Sequence, residues 1–73
     1  MGILRGIKGK DALKAFVRAG GVVRKKGKGD HTNIKMPNGM IITIPDEGEL
    51  KIGLLKSAIM KAGLTDKVFL DLL

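Results

Sequence analysis

Apolar residues recur along this chain in two rhythms. In GKDALKAFVRA, residues 9–19, Leu13, Phe16 and Val17 fall on one stripe of a 3.6-residue period, and Lys10, Lys14 and Arg18 lie off it. That spacing predicts an amphipathic helix. Asp11 sits in its first turn, where the helix dipole favours an acid. Gly20 and Gly21 stop it, because glycine takes the left-handed conformation of a C-terminal cap at low cost. The rhythm then changes. VVRKK, residues 22–26, reads as a short strand that ends in a basic loop over Lys25–Lys28.

Two β-rich runs follow, HTNIKM and MIITI, separated by Pro37-Asn38-Gly39. Pro-Asn-Gly between such runs signals a hairpin. A two-residue Asn-Gly turn would set Met36 opposite Ile41. A three-residue loop sets Met36 opposite Met40, Ile34 opposite Ile42 and Thr32 opposite Ile44. The longer loop fits better, since proline suits the first corner of a type I turn and glycine the left-handed position after it. It also sorts the side chains. One face becomes Thr32, Ile34, Met36, Met40, Ile42 and Ile44. The other becomes His31, Asn33, Lys35, Ile41, Thr43 and Pro45, and a one-residue slip would mix the two sets.

After an acidic connector, PDEGE, a second helix is expected from about Lys51 to Ala62, with Leu55, Ala58, Ile59 and Ala62 at core spacing. Gly63 ends it, and Thr65 can cap a short last helix bearing Val68, Phe69 and Leu72. The expected fold class is α+β. Its order is αβββα, a three-stranded antiparallel sheet with both helices on one face and a short C-terminal helix. The other sheet face stays open, and His31 lies on it.

The chain has 73 residues, which is one small domain, residues 1–73, with a thin core. Its composition narrows the function. Fourteen Lys and Arg against seven Asp and Glu give a net charge of +7, a field suited to a polyanionic partner such as nucleic acid or a strongly acidic protein. The chain has no Trp or Tyr and only two Phe, so base stacking on an aromatic platform is not its mode of binding. It has no cysteine, which removes disulfides and cysteine-based metal sites and points to a reducing, cytoplasmic home. MGILRGIKGK lacks the apolar core of a signal peptide, and no stretch approaches the ~20 apolar residues of a membrane span.

Several local patterns lead nowhere. GIKG, residues 6–9, matches the GxxG of KH domains by letters, but no helix precedes it. GKGD, residues 27–30, has no Walker pattern after it. Asp46, Glu47 and Glu49 cluster without a histidine neighbour or a known ligand spacing, and read as a solvated acidic turn. Ser57, the only serine, reads as a helix-surface residue. One reaction suits what is left. In RNA the 2′-hydroxyl is a nucleophile already placed beside each phosphate. A protein need only remove its proton, steady the phosphorane and protonate the leaving oxygen. One histidine can act as base or acid, lysines can hold the phosphate, and neither a metal nor a protein nucleophile is required.

The residues also carry a family resemblance. GKDALKAFVRAGGVVRKKGKGDH resembles the first helix, first strand and glycine–histidine entry to strand two of the HicA toxins, the messenger-RNA interferases of toxin–antitoxin pairs. PNGMIITIP resembles their hairpin and third strand, and ELKIGLLKSAIMKAGLT their second helix. The resemblance covers nearly the whole chain. It implies a single HicA-like domain with a fold like that of double-stranded RNA-binding domains. It further implies a metal-independent endoribonuclease that cleaves messenger RNA, with no cofactor, and a HicB antitoxin that covers the active face. The family's catalytic histidine stands at the start of strand two, and His31 matches that position. Asp30 departs from the serine that many members carry there, and adds negative charge where a phosphate would come.

Three function classes follow. The leading one is a ribonuclease toxin with His31 as general acid/base and Lys28 and Lys35 as RNA-binding residues. The second is a non-catalytic module for double-stranded RNA, which would use Lys51 and Lys56 at the second helix. The third is a protein-interaction domain, which predicts no RNA binding at any salt concentration.

Overall fold

The structure is a computed structural model, and it describes residues 4–26 and 31–73; the side chains of Lys25 and Lys26 lie outside that description. The elements run α1 (Gly9–Arg18), β1 (Val22–Lys26), β2 (His31–Lys35), β3 (Ile41–Pro45), α2 (Ile52–Lys61) and α3 (Asp66–Asp71). The strands form one antiparallel sheet in the order β1-β2-β3. The protein is therefore α+β, with the order αβββα and a short C-terminal helix.

The β2–β3 hairpin takes the three-residue loop. The Met36 N–H donates to the Met40 carbonyl at 2.8 Å, and the Gly39 N–H to the Met36 carbonyl at 2.9 Å. Gly39 supplies the positive φ, +88°, that the turn needs. Asn38 fastens the turn to the helical layer: its Nδ2 donates to the Lys61 carbonyl at 2.9 Å, at the end of α2. With the turn fixed, Ile34 pairs with Ile42, Thr32 with Ile44 and Asn33 with Thr43. Thr32, Ile34, Met36, Ile42 and Ile44 are buried beneath the helices. Met40, expected on that face, is 45% exposed, because it stands at the lip of the turn where the helical layer ends.

Helix α1 buries Gly9, Ala12, Ala15 and Phe16, and Leu13 packs partly against the core. Val17, expected in the stripe, is 43% exposed. The helix is rolled toward its smallest side chains, which lets it approach β3 closely. Gly9 touches the backbone there: a Cβ on it would stand 1.9 Å from the Pro45 carbonyl oxygen. Helix α2 buries Leu55, Ala58 and Ile59, with Ala62 after it, as its spacing predicts. Thr65 caps α3, its hydroxyl accepting from the Val68 N–H at 3.2 Å. Phe69 closes the core against Phe16 with ring centroids 5.0 Å apart, whereas Val68 faces outward. Leu4, Ile7 and Leu50 complete the core. The Leu50 N–H donates to the Ile7 carbonyl at 2.8 Å, so the segment before α1 and the segment before α2 bridge across the end of the sheet.

Candidate active face

Among the described residues no helix covers the far side of the sheet. His31 opens β2 on that side, directly across from Pro45, and is exposed. Its position is held from both neighbouring rows. Thr32, the next residue, is buried, and its hydroxyl donates to Asp46 Oδ1, just past the end of β3. One row on, the Thr43 hydroxyl donates to Asn33 Oδ1 at 2.7 Å. The imidazole thus rides on a strand end tied to β3 by side chains as well as by the ladder.

Lys35 stands on the same face, exposed, four residues along β2 and across from Ile41. At ~3.3 Å per residue its Cα lies about 13 Å from that of His31. Asn33 falls between them on the same face. The Asn33 oxygen is engaged by Thr43, and its N–H donors have no partner among the described residues. Lys28, expected to bind RNA, and Asp30, the departure from the family's serine, lie outside the described residues.

Two features of this face do not stand out in the sequence. Asn33 is one, although its alternation with His31 and Lys35 already places it there. The other is Arg24, which lines a shared concavity with Val22 and Lys35. Arg24 lies two residues on from Val22, which pairs with Lys35, where β1 enters a bulge: from Val23 to Lys26, β1 advances three residues while β2 advances two, from Ile34 to Thr32. Such a bulge sharpens the local twist and re-aims side chains.

The remaining candidates lie elsewhere. Asp46 is engaged by Thr32, and Glu47 and Glu49 are exposed. Among the described residues no group of three or more His, Asp or Glu side chains is arranged to hold a metal ion. Lys51 occupies the N-cap position of α2, and Lys56 is paired with Asp66 at 2.9 Å. Ser57 is exposed on α2.

A helix–three-strand–helix frame with an exposed histidine at the entry to its central strand is now in view. A family model described as the HicA toxin of bacterial toxin-antitoxin pairs matches residues 9–64. The chain belongs to the HicA toxin family. The match runs from the first residue of α1 through the turn after α2, and so contains His31, Lys35 and the whole sheet. No curated protein matches the chain significantly. Membership in the HicA family gives the chain the role of a toxin in a toxin–antitoxin pair, and so an antitoxin as its partner. Among the described residues no helix is long and apolar enough to cross a membrane.

Proposed function

We propose that this HicA-family protein is a metal-independent endoribonuclease that cleaves messenger RNA, with His31 as its catalytic group. The observation that carries the reading is the position of His31: exposed, at the first residue of the central strand, on the sheet face that no helix covers. His31 takes the proton from a ribose 2′-hydroxyl. The oxygen attacks the adjacent phosphorus, the bond to the 5′-oxygen breaks, and that oxygen takes up the proton, which His31 gives back directly or through solvent water. The products are a 2′,3′-cyclic phosphate, open to hydrolysis to a 3′-phosphate, and a 5′-hydroxyl. The nucleophile belongs to the substrate, so the chain supplies only proton transfer and charge. Lys28 and Lys35 hold phosphates. Lys35, about 13 Å along the strand, serves a phosphate next to the scissile one. The Asn33 N–H donors lie between the two.

The antitoxin is a HicB-like protein that covers this face, and the +7 charge favours its recruitment if it is acidic. The protein works in the cytoplasm, where its RNA substrate is. The alternative of a purely double-stranded RNA-binding module is less well supported, since one of the two cations it needs, Lys56, is already paired with Asp66.

The deciding experiment digests messenger RNA with purified protein, wild type beside His31→Ala, with and without EDTA. His31 is on the surface, so its truncation should change stability by no more than about 0.5 kcal/mol. General acid–base catalysis typically contributes ~100- to 10,000-fold, so cleavage should fall by that factor while RNA binding persists. Wild-type cleavage should survive EDTA. Equal cleavage by the two proteins would refute the assignment.

A further inference from the structure

The open face carries a concavity that the proton-transfer chemistry leaves unused. Its volume is about 270 Å³, and Gly20, Val22, Arg24, Lys35, Met36 and Pro37 line it. Two turns build it. Gly20, at φ +101°, leads from α1 toward β1, and a Cβ there would lie 2.9 Å from Pro37 Cγ in the hairpin loop. The two turns therefore abut and form one wall. Val22 pairs with Lys35 across the β1–β2 ladder, which sets an apolar side chain beside a cation. Arg24, two residues on from Val22 along β1, lines the same hollow. Arg24 and Lys35 are exposed, and neither has a hydrogen-bond or ion-pair partner among the described residues.

A mostly apolar hollow with two unpaired cations at its rim matches one chemistry on both counts. A nucleotide has a flat, weakly polar base and an anionic phosphate beside it. An arginine fork donates to phosphate oxygens in pairs or stacks its plane on a base. An acidic peptide side chain would meet the cations and leave the apolar walls unused. We propose that this concavity is a subsite for one nucleotide of the RNA substrate, flanking the nucleotide cleaved at His31. Arg24 and Lys35 hold its phosphate, and Val22 and Pro37 lie against its base. The subsite rests on the ribonuclease reading above and adds to it a source of sequence preference about 13 Å from the reacting phosphate.

The test uses the intact chain carrying His31→Ala, which binds RNA without cutting it, and a labelled, unstructured oligoribonucleotide followed by fluorescence anisotropy over a salt series. Adding Arg24→Ala should weaken binding about tenfold and flatten the slope of log affinity on log salt by about 0.7, the value for one phosphate on a single strand. Arg24→Lys should restore the slope. Val22→Ser should weaken binding a few-fold with the slope unchanged, because it removes apolar contact and no charge. In the cleavage-competent chain, Arg24→Ala should redistribute cutting among the sites of a defined RNA. Unchanged affinity and slope in both Arg24→Ala and Arg24→Ala/Lys35→Ala, beside intact His31-dependent cleavage by wild type, would overturn the subsite and leave the ribonuclease reading standing. Variants that lose antitoxin but not RNA would overturn it too, by showing a protein-docking hollow. A wild type that neither binds nor cuts RNA would overturn the ribonuclease reading, and the subsite with it.

Discussion

Replacing Gly9 by alanine tests the contact that joins the helical layer to the strand end facing His31. Gly9 is buried at the first position of α1, and its N–H donates to the Gly48 carbonyl at 3.0 Å. An added Cβ would meet the Pro45 carbonyl oxygen at 1.9 Å, the Pro45 carbonyl carbon at 3.0 Å and the Asp46 carbonyl carbon at 3.2 Å. These are all backbone atoms, so no side-chain rotation relieves the overlap. The start of α1 must back away from β3 by more than an ångström. Overpacking of this kind costs about 1–3 kcal/mol, and breaking the hydrogen bond to Gly48 adds about 0.5–1.5 kcal/mol. The sum is roughly 2–4 kcal/mol, set against a stability of roughly 4–11 kcal/mol for a chain of 73 residues. At about 4–8 °C per kcal/mol, the melting temperature should fall by roughly 10–30 °C. Gly53→Ala is the internal control. It lies in α2 with nothing within 4 Å of its added Cβ, and should raise stability by ~0.5 kcal/mol through helix propensity alone. Thermal melts of the two variants followed by circular dichroism should therefore move in opposite directions. A Gly9→Ala protein that melts with wild type would refute the close packing of α1 on the Pro45 carbonyl.

Other outcomes follow from the same geometry. Phe69→Ala should cost about 3–5 kcal/mol, since it empties a fully buried ring site against Phe16, and urea denaturation should show the variant close to its unfolding limit. Replacing Lys28 and Lys35 together by alanine should flatten the salt dependence of RNA binding by about 0.7 for each phosphate the two lysines neutralise; an unchanged slope and affinity would remove both from the site. Binding of the antitoxin should protect the amides of residues 28–36 from hydrogen exchange, and protection confined to the helical side would contradict coverage of the open face.

Much of the fold is legible in the sequence because local signals agree with one another. Pro37-Asn38-Gly39 permits few closures, and the closure that suits its residues also gathers Ile34, Ile42 and Ile44 on one face. Turn chemistry and burial thus choose the same register, and the structure has it. Helix α2 is equally plain, with Leu55, Ala58, Ile59 and Ala62 on one helical face and all buried. Helix α1 is harder. Its bulky apolar stripe suggests a roll that buries Val17. The actual roll buries Gly9, Ala12 and Ala15, because close approach to β3 gains more contact than one valine does. Small residues carry little weight in an apolar periodicity, so that choice is visible only when the sheet is in place. Leu4, Ile7 and Leu50 escape the sequence pattern for a related reason. They belong to no long element and are buried through the Ile7–Leu50 bridge, a contact between segments more than forty residues apart.

The candidate site divides along the same line. His31 and Lys35 sit on a hairpin whose register is set by its own loop, so counting back from Pro37 by twos places both on the open face, and the structure agrees. Strand β1 has no such anchor. It joins β2 through residues 27–30, GKGD, which carry no turn signal like Pro37-Asn38-Gly39 from which a register can be counted. One residue inserted between Val23 and Lys26 defeats the count by twos from that point on. Alternation carries Arg24 to the side of Val22, but only the pairing of Val22 with Lys35 shows which side that is, so in the sequence Arg24 reads only as part of a basic run. Among the described residues the Asn33 carboxamide comes next along the strand from His31 on this face, and Arg24 and Lys35 line the hollow further on. On the ribonuclease reading proposed above, a substrate that engages both ends is an extended polyanion rather than a single phosphate, and the distance between those ends would let one flanking nucleotide select the site of cutting.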